Sequence, residues 1–343
     1  MKLGFHLGYW STAPSDDERA AFSLAESLGY DSVWTAETYG SDCLTPLAWY
    51  GASTSTVKLG TNILQMSART PAATAMAAMT LDHLSRGRFI LGLGVSGPQV
   101  VEGWYGQPYP RPLARTMEYV ELVRKFVRRD QPVSHNDGAF YHLPLQGGSG
   151  LGKPLRSMLH PLRPEIPIYL GAEGPKNIAL AAEIADGWLP IFYSPRMDDF
   201  YRGALEEGFS KSGARRSLDD FDIAATVPIV IDDDIEKAAD VVRPNIALYV
   251  GGMGAKEANF HNQVFVRMGY EAECARIQRL YLEGRKSEAI ASVPLAMVED
   301  VALVGSRDKI KEDLVRWEKT AVKTLLLQGL GYSSIEAVAE LLA

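Results

Sequence analysis

The segment Gly171-Ala172-Glu173-Gly174-Pro175-Lys176-Asn177 lies between an apolar run and an alanine-rich stretch with helical spacing. Its glycines let an anion approach the backbone, Pro175 suits a first helical turn, and free amides beside Lys176 would hold a phosphate. The same residues also make an ordinary strand-to-helix turn, and spacing alone does not separate the two readings. Gly92-Leu93-Gly94-Val95-Ser96-Gly97 is glycine-rich too. Its first glycines fall inside an apolar strand, where an absent side chain makes room for a flat ligand or a facing layer rather than a dinucleotide. Glu37 closes a run containing Val33 and Trp34. Its carboxylate could act on a substrate or a ring edge, and helix capping or ion pairing would explain it equally well.

Other chemistries lack their residues. The six histidines show no HExxH or comparable ligand spacing, so no metal site is expected, and no GxSxG elbow supports a serine hydrolase. His6, in mid-strand, reads as a hydrogen-bonded core residue. The net charge of -7 is spread over interspersed acids and bases, which argues against nucleic acid or an anionic membrane as partner. Cys43 and Cys274 match neither a metal pair nor a disulfide framework, as expected in a reducing cytoplasm. Met1 to Leu7 runs directly into strand-like sequence, so no signal peptide is expected, and apolar runs such as Phe89 to Val95 are too short to cross a membrane.

The elements that must position these residues alternate. Strands are expected at Lys2 to Trp10, Asp31 to Glu37, Lys58 to Met66, Arg88 to Val95, Ile166 to Ala172, Gly187 to Tyr193, Phe221 to Ile231 and Lys323 to Gln328, each followed by a helical pattern. Eight such units predict a single (β/α)8 TIM-barrel domain over residues 1–343, with an insertion or lid at 96–165 and a helical insertion at 235–300 broken near Gly251-Gly252-Met253-Gly254. A doubly wound sheet would show six strands and a phosphate loop after the first, where Gly8-Tyr9-Trp10-Ser11 stands instead. In a barrel, chemistry belongs at the C-terminal strand ends.

Taken together, Lys58-Leu59-Gly60-Thr61-Asn62-Ile63-Leu64-Gln65, Ser85-Arg86-Gly87-Arg88-Phe89-Ile90-Leu91-Gly92-Leu93-Gly94, Gly171-Ala172-Glu173-Gly174-Pro175-Lys176 and Ala185-Asp186-Gly187-Trp188 resemble the luciferase-like monooxygenase superfamily. Within it the chain is most similar to the branch of coenzyme F420 (deazaflavin) dependent oxidoreductases. The resemblance implies a homodimeric TIM barrel exchanging a hydride between the deazaflavin and a small organic substrate. It implies a bulged third strand with a non-prolyl cis peptide, matching Asn62-Ile63 here. Asn62, Ile63 and Gln65 would then support the ring, Ser96, Gly97 and Gln99 would border ring or tail, and Gly171, Ala172, Glu173, Gly174, Pro175 and Lys176 would bind the phosphate. Glu37 is the catalytic candidate, because Glu37-Thr38 stands where several relatives carry Asp-His. Trp10, Thr38, Trp104 and Tyr193 are candidate walls of the substrate pocket. An FMN-dependent monooxygenase and a non-catalytic flavin-binding protein are the alternatives.

Overall fold

The computed structural model describes residues 1–10, 12–254, 259–329 and 331–342. Ser11 of the first strand-to-helix turn and residues 255–258 of the interrupted helical region lie outside the described residues. Among the described residues ten strands are present: β1 Lys2–Gly8, β2 Ser32–Thr35, β3 Lys58–Thr61, β4 Leu64–Gln65, β5 Phe89–Gly94, β6 Ile168–Gly171, β7 Gly187–Leu189, β8 Asp222–Ile231, β9 Leu303–Gly305 and β10 Thr324–Gln328. Parallel ladders run β1-β2-β3-β5-β6-β7-β8, and β10 pairs with both β8 and β1. The sheet therefore closes on itself, which excludes the doubly wound arrangement and makes the fold a (β/α)8 TIM barrel.

The interior is filled by unequal side chains. Trp34, Ile90, Tyr169, Leu189, Ala224 and Leu326 form one buried layer inside the barrel, with Ile63 packed against it. Trp34 fits because the facing strands carry glycine. A Cβ on Gly60 would stand 2.2 Å from the indole ring, and one on Gly4 would stand 3.3 Å from its Nε1. The larger core lies between barrel and helices, where Phe5, Phe22, Leu47, Leu59, Phe89 and Ile223 are buried.

The expected third strand is interrupted. β3 ends at Thr61, β4 begins at Leu64 and pairs with β5, and the Asn62–Ile63 peptide between them is cis. Segment 96–165 divides in two. Its Pro112–Arg128 helix occupies the outer ring between the Pro71–Leu84 and Pro175–Ile184 helices. The remainder holds the short Pro98–Gly103 helix and two isolated antiparallel bridges, Val133 with Leu155 and His135 with Leu143. Buried Glu118 pins that wrap to the helix by accepting from the amides of Ala139, Phe140 and Tyr141 and lying 3.2 Å from His135 Nε2.

Residues 235–300 contain helices Ile235–Gly251, Phe260–Arg267, Glu271–Leu282, Lys286–Ala291 and Leu295–Glu299. Their Val242, Ile246, Phe265, Ile277 and Met297 form a second core against Phe192, beyond β7. β9, which sequence reading missed, extends the outer half of β8 through Ile229, Val230 and Ile231. Cys43 and Cys274 are unpaired and buried. Among the described residues, no helix is long and apolar enough to cross a membrane.

Candidate active site

The C-terminal barrel mouth is floored by the β3–β4 interruption. His6 of β1 reaches across with Nε2 3.4 Å from the Asn62 carbonyl, while Asn62 Nδ2 donates to Thr226 Oγ1 of β8 at 2.8 Å. Burial holds the His6 imidazole down to about 4, so it is neutral at neutral pH, with Nδ1 buried and unpartnered. Ile63 projects between neighbouring strands that lack side chains. A Cβ on Gly94 would stand 2.6 Å from Ile63 Cδ1, and one on Gly171 3.0 Å from its Cγ2. A Cβ on Gly92 would fall 1.8 Å from the Thr61 carbonyl oxygen. The glycines of β5 thus make room for the bulge itself, and the bulge forms the surface on which a flat ligand could rest.

Glu37 is placed differently from a free proton carrier. Its Oε1 accepts from the Gln65 amide and from Arg69 Nη1, both at 2.7 Å, and Oε2 accepts from the Cys43 amide at 3.2 Å. With the side chain 3% exposed, this carboxylate is spent on joining the β2 loop to β4. Its geometry is that of the ion-paired alternative and corrects the catalytic expectation. Gln65 completes the joint, donating from Nε2 to the carbonyls of Glu37 at 3.3 Å and Thr38 at 3.2 Å, while its Oε1 is buried without a partner. Arg69 was not singled out from sequence. It stands alone between small residues, and only the fold brings it to Glu37.

The turn expected to bind the phosphate and the one expected to border ring or tail occupy neighbouring strand ends, since β5 and β6 are paired through Leu93 and Leu170. Both lead into helices, Pro98–Gly103 and Pro175–Ile184, with glycine before proline and no side chain capping the first turn. Ser96 has φ of 60°, turning the chain toward Gly97, and Gln99 is exposed on the following helix. Ala172 is buried, and its carbonyl accepts from Trp188 Nε1 at 2.8 Å. Lys176 departs from expectation. It shares the face of Ala179, Leu180 and Glu183 that lines an outer groove of about 560 Å³, beside Glu118, Glu207 and Lys211.

Glu173 turns its carboxylate away from the amides of its own turn. Oε1 lies 2.5 Å from Nδ1 of His261 on the Phe260–Arg267 helix, Oε2 is buried without a partner, and Arg267 Nη2 donates to the Glu173 carbonyl at 2.8 Å. Tyr249 and Phe192 meet the His261 ring edge-on at 4.7 and 6.3 Å. Burial raises the phenols of Tyr249 and Tyr9 and keeps both protonated. Spacing gave no sign of His261, which is remote in sequence from every strand end.

The four candidate pocket walls separate. Thr38 is half-buried at the mouth, its carbonyl also accepting from Tyr105 Oη at 3.3 Å. Trp104 is 65% exposed, 6.4 Å from the Tyr39 ring. Trp10 points into the helix layer, donating from Nε1 to Glu18 at 2.8 Å and packing on Tyr50. Tyr193 is corrected outright. It is buried among Trp188, Tyr201 and Trp317 and bonded to Asp198, so it belongs to the helix-facing core. Among the described residues, no cluster of His, Cys, Asp and Glu could hold a metal ion.

A closed parallel barrel with a bulged third strand at its mouth, uncapped helix starts on two neighbouring strands and an inserted helical group defines a cofactor-using barrel enzyme. Residues 2–324 match the luciferase-like monooxygenase family, and the chain belongs to it. It is 53% identical, over 100% of its length and 98% of the relative's, to a Mycobacterium tuberculosis protein named "Putative coenzyme F420-dependent oxidoreductase". It is 29% identical to 5,10-methylenetetrahydromethanopterin reductase of Archaeoglobus fulgidus, covering 87% of this chain and 85% of that one. The solved coenzyme F420 dependent tetrahydromethanopterin reductase of Methanopyrus kandleri superposes with a TM-score of 0.82 at 25% identity, covering 99% of this chain and 97% of that chain.

Proposed function

We propose that this chain is a coenzyme F420-dependent oxidoreductase acting on a small organic substrate. What carries the reading is its end-to-end likeness to the mycobacterial relative, whose name includes that cofactor, on a barrel shared with an F420-dependent reductase. The residues present fit such a group. Ile63 offers an apolar rest between glycine-bearing strands, and His6 Nδ1, Gln65 Oε1 and Glu173 Oε2 are buried acceptors without protein donors. The start of the Pro175–Ile184 helix, which no side chain caps, suits a phosphate.

When bound, the deazaflavin supplies a carbon that exchanges a hydride and disfavours one-electron and oxygen chemistry. The chain's own work is positional. Asn62, fixed by His6 and Thr226, holds the Ile63 bulge. Glu37, Arg69 and Gln65 fix the loop carrying Thr38 and Tyr39 over the mouth. The turn from Gly171 to Pro175 grips the anionic tail through its backbone, with Lys176 adding charge from outside. Holding both reactants in one orientation is worth far more than any single contact. The same reading includes one barrel domain, a homodimer and a cytoplasmic location, the last in keeping with two unpaired buried cysteines.

Titrating the purified protein separately with F420 and FMN tests this reading. F420 should bind and, once reduced, be reoxidised anaerobically by an organic acceptor. Tight FMN binding with oxygen uptake would establish the monooxygenase alternative, and binding without turnover on a broad panel would leave a carrier.

A further inference from the structure

We propose that Glu173 and His261 form the proton-transfer pair of the barrel mouth, with His261 Nε2 exchanging a proton with the substrate, and that the substrate is a polarised double bond such as a carbonyl. The inference rests on the F420 reading above. Its observations are geometric. Glu173 leaves the end of β6 two residues after Gly171, and its Oε1 lies 2.5 Å from His261 Nδ1. A carboxylate there accepts the Nδ1 proton, which fixes the tautomer and leaves Nε2 for exchange with a substrate. No described residue bonds Nε2. The ring is clamped edge-on by Tyr249 and Phe192, while the His261 side chain keeps 23% exposure, so Nε2 is oriented and accessible together. A carboxylate facing a phosphate would repel it, and the bond to His261 turns Glu173 to another partner.

The step balances. The reduced deazaflavin would supply the hydride to the electrophilic carbon and release its ring N–H proton to solvent, and the π pair would move onto the heteroatom. His261 Nε2 would give that atom its proton and be reprotonated from solvent. The carbonyl is reduced and the deazaflavin oxidised; the reverse direction uses neutral His261 as base. The titratable groups in contact with the imidazole are Glu173 from the β6 end and Tyr249 from the Ile235–Gly251 helix, and Arg267 on its own helix is bonded to the Glu173 carbonyl. Tyr249 stays protonated by burial, and Glu173 is the carboxylate in contact with the ring.

The test begins on cofactor-free protein. A far-downfield imidazole N–H resonance is expected in the wild type, shifted upfield in Glu173→Gln and lost in both His261→Ala and His261→Gln. F420-loaded protein is then assayed with simple aldehydes, ketones and enones. His261→Ala should lose about 100-fold in kcat with F420 affinity unchanged, lose the histidine limb of its pH profile, and recover with added imidazole. His261→Gln, a closer match in size, should show the same loss. A rate within twofold of wild type, an unchanged pH profile, or turnover of no carbonyl by F420-loaded wild type would overturn the assignment. If the wild type does not bind F420 while the N–H resonance is present, the cofactor reading fails and the hydride partner with it.

Discussion

A carboxylate that accepts from two backbone amides and a guanidinium has little left to offer a substrate. Glu37→Gln removes the charge facing Arg69 and sets an amide group against N–H donors. It should lower unfolding free energy by about 3 kcal/mol, measured by denaturant titration. Lost activity should follow the displaced loop as a raised KM; a slowed kcat at unchanged stability would return Glu37 to the chemistry. His6 makes a separate prediction. Its imidazole is held to about 4 when folded against an ordinary value near 6.5, so the unfolded chain takes up the proton first as pH falls. Stability from this group is complete above about 6.5 and is lost progressively toward 4, by about 3 kcal/mol. The pH dependence of unfolding in His6→Gln should lack that component. Residue types were legible at both positions, whereas roles depended on partners such as Arg69 and Asn62 that only the fold supplies. Tyr193 failed for the same reason, since a strand end can turn a ring outward as easily as inward.

Elements were easier to read than roles. Apolar runs broken by glycine and proline gave all eight barrel strands to within a few residues, because a parallel strand buried on both faces leaves a continuous apolar signature. β9 left no such mark, being three residues long and paired only with the outer half of β8. The glycines of β5 were legible as places lacking side chains, but what fills that space was not. It is the neighbouring bulge. Gly92→Ala would drive a methyl into the Thr61 carbonyl and should cost at least about 3 kcal/mol or prevent folding. Gly94→Ala meets only the movable end of Ile63. Its melting temperature should fall less than that of Gly92→Ala while F420 affinity, followed by fluorescence, weakens clearly. Equal loss of stability in the two variants would show that the bulge does not act as a platform.

Across the described residues the buried side chains form a layer inside the barrel, a larger core between barrel and helices, and a further core within residues 235–300. Phe192 and Val304 anchor the second core to the barrel, so the inserted helices should unfold with it. All six tryptophans lie outside 235–300. Tryptophan fluorescence should therefore report the barrel, while far-ultraviolet dichroism reports both parts. Coincident urea transitions are expected, and an earlier loss of helical signal would mean that the insertion melts alone. Sequence spacing located this helical segment but not its purpose, because the contact that gives it one spans 88 residues, from Glu173 to His261. That bond joins a side chain from the barrel scaffold to one from an appended module. A graft of helices from another such barrel at 235–300 should therefore leave the cylinder folded while severing this one cross-tie.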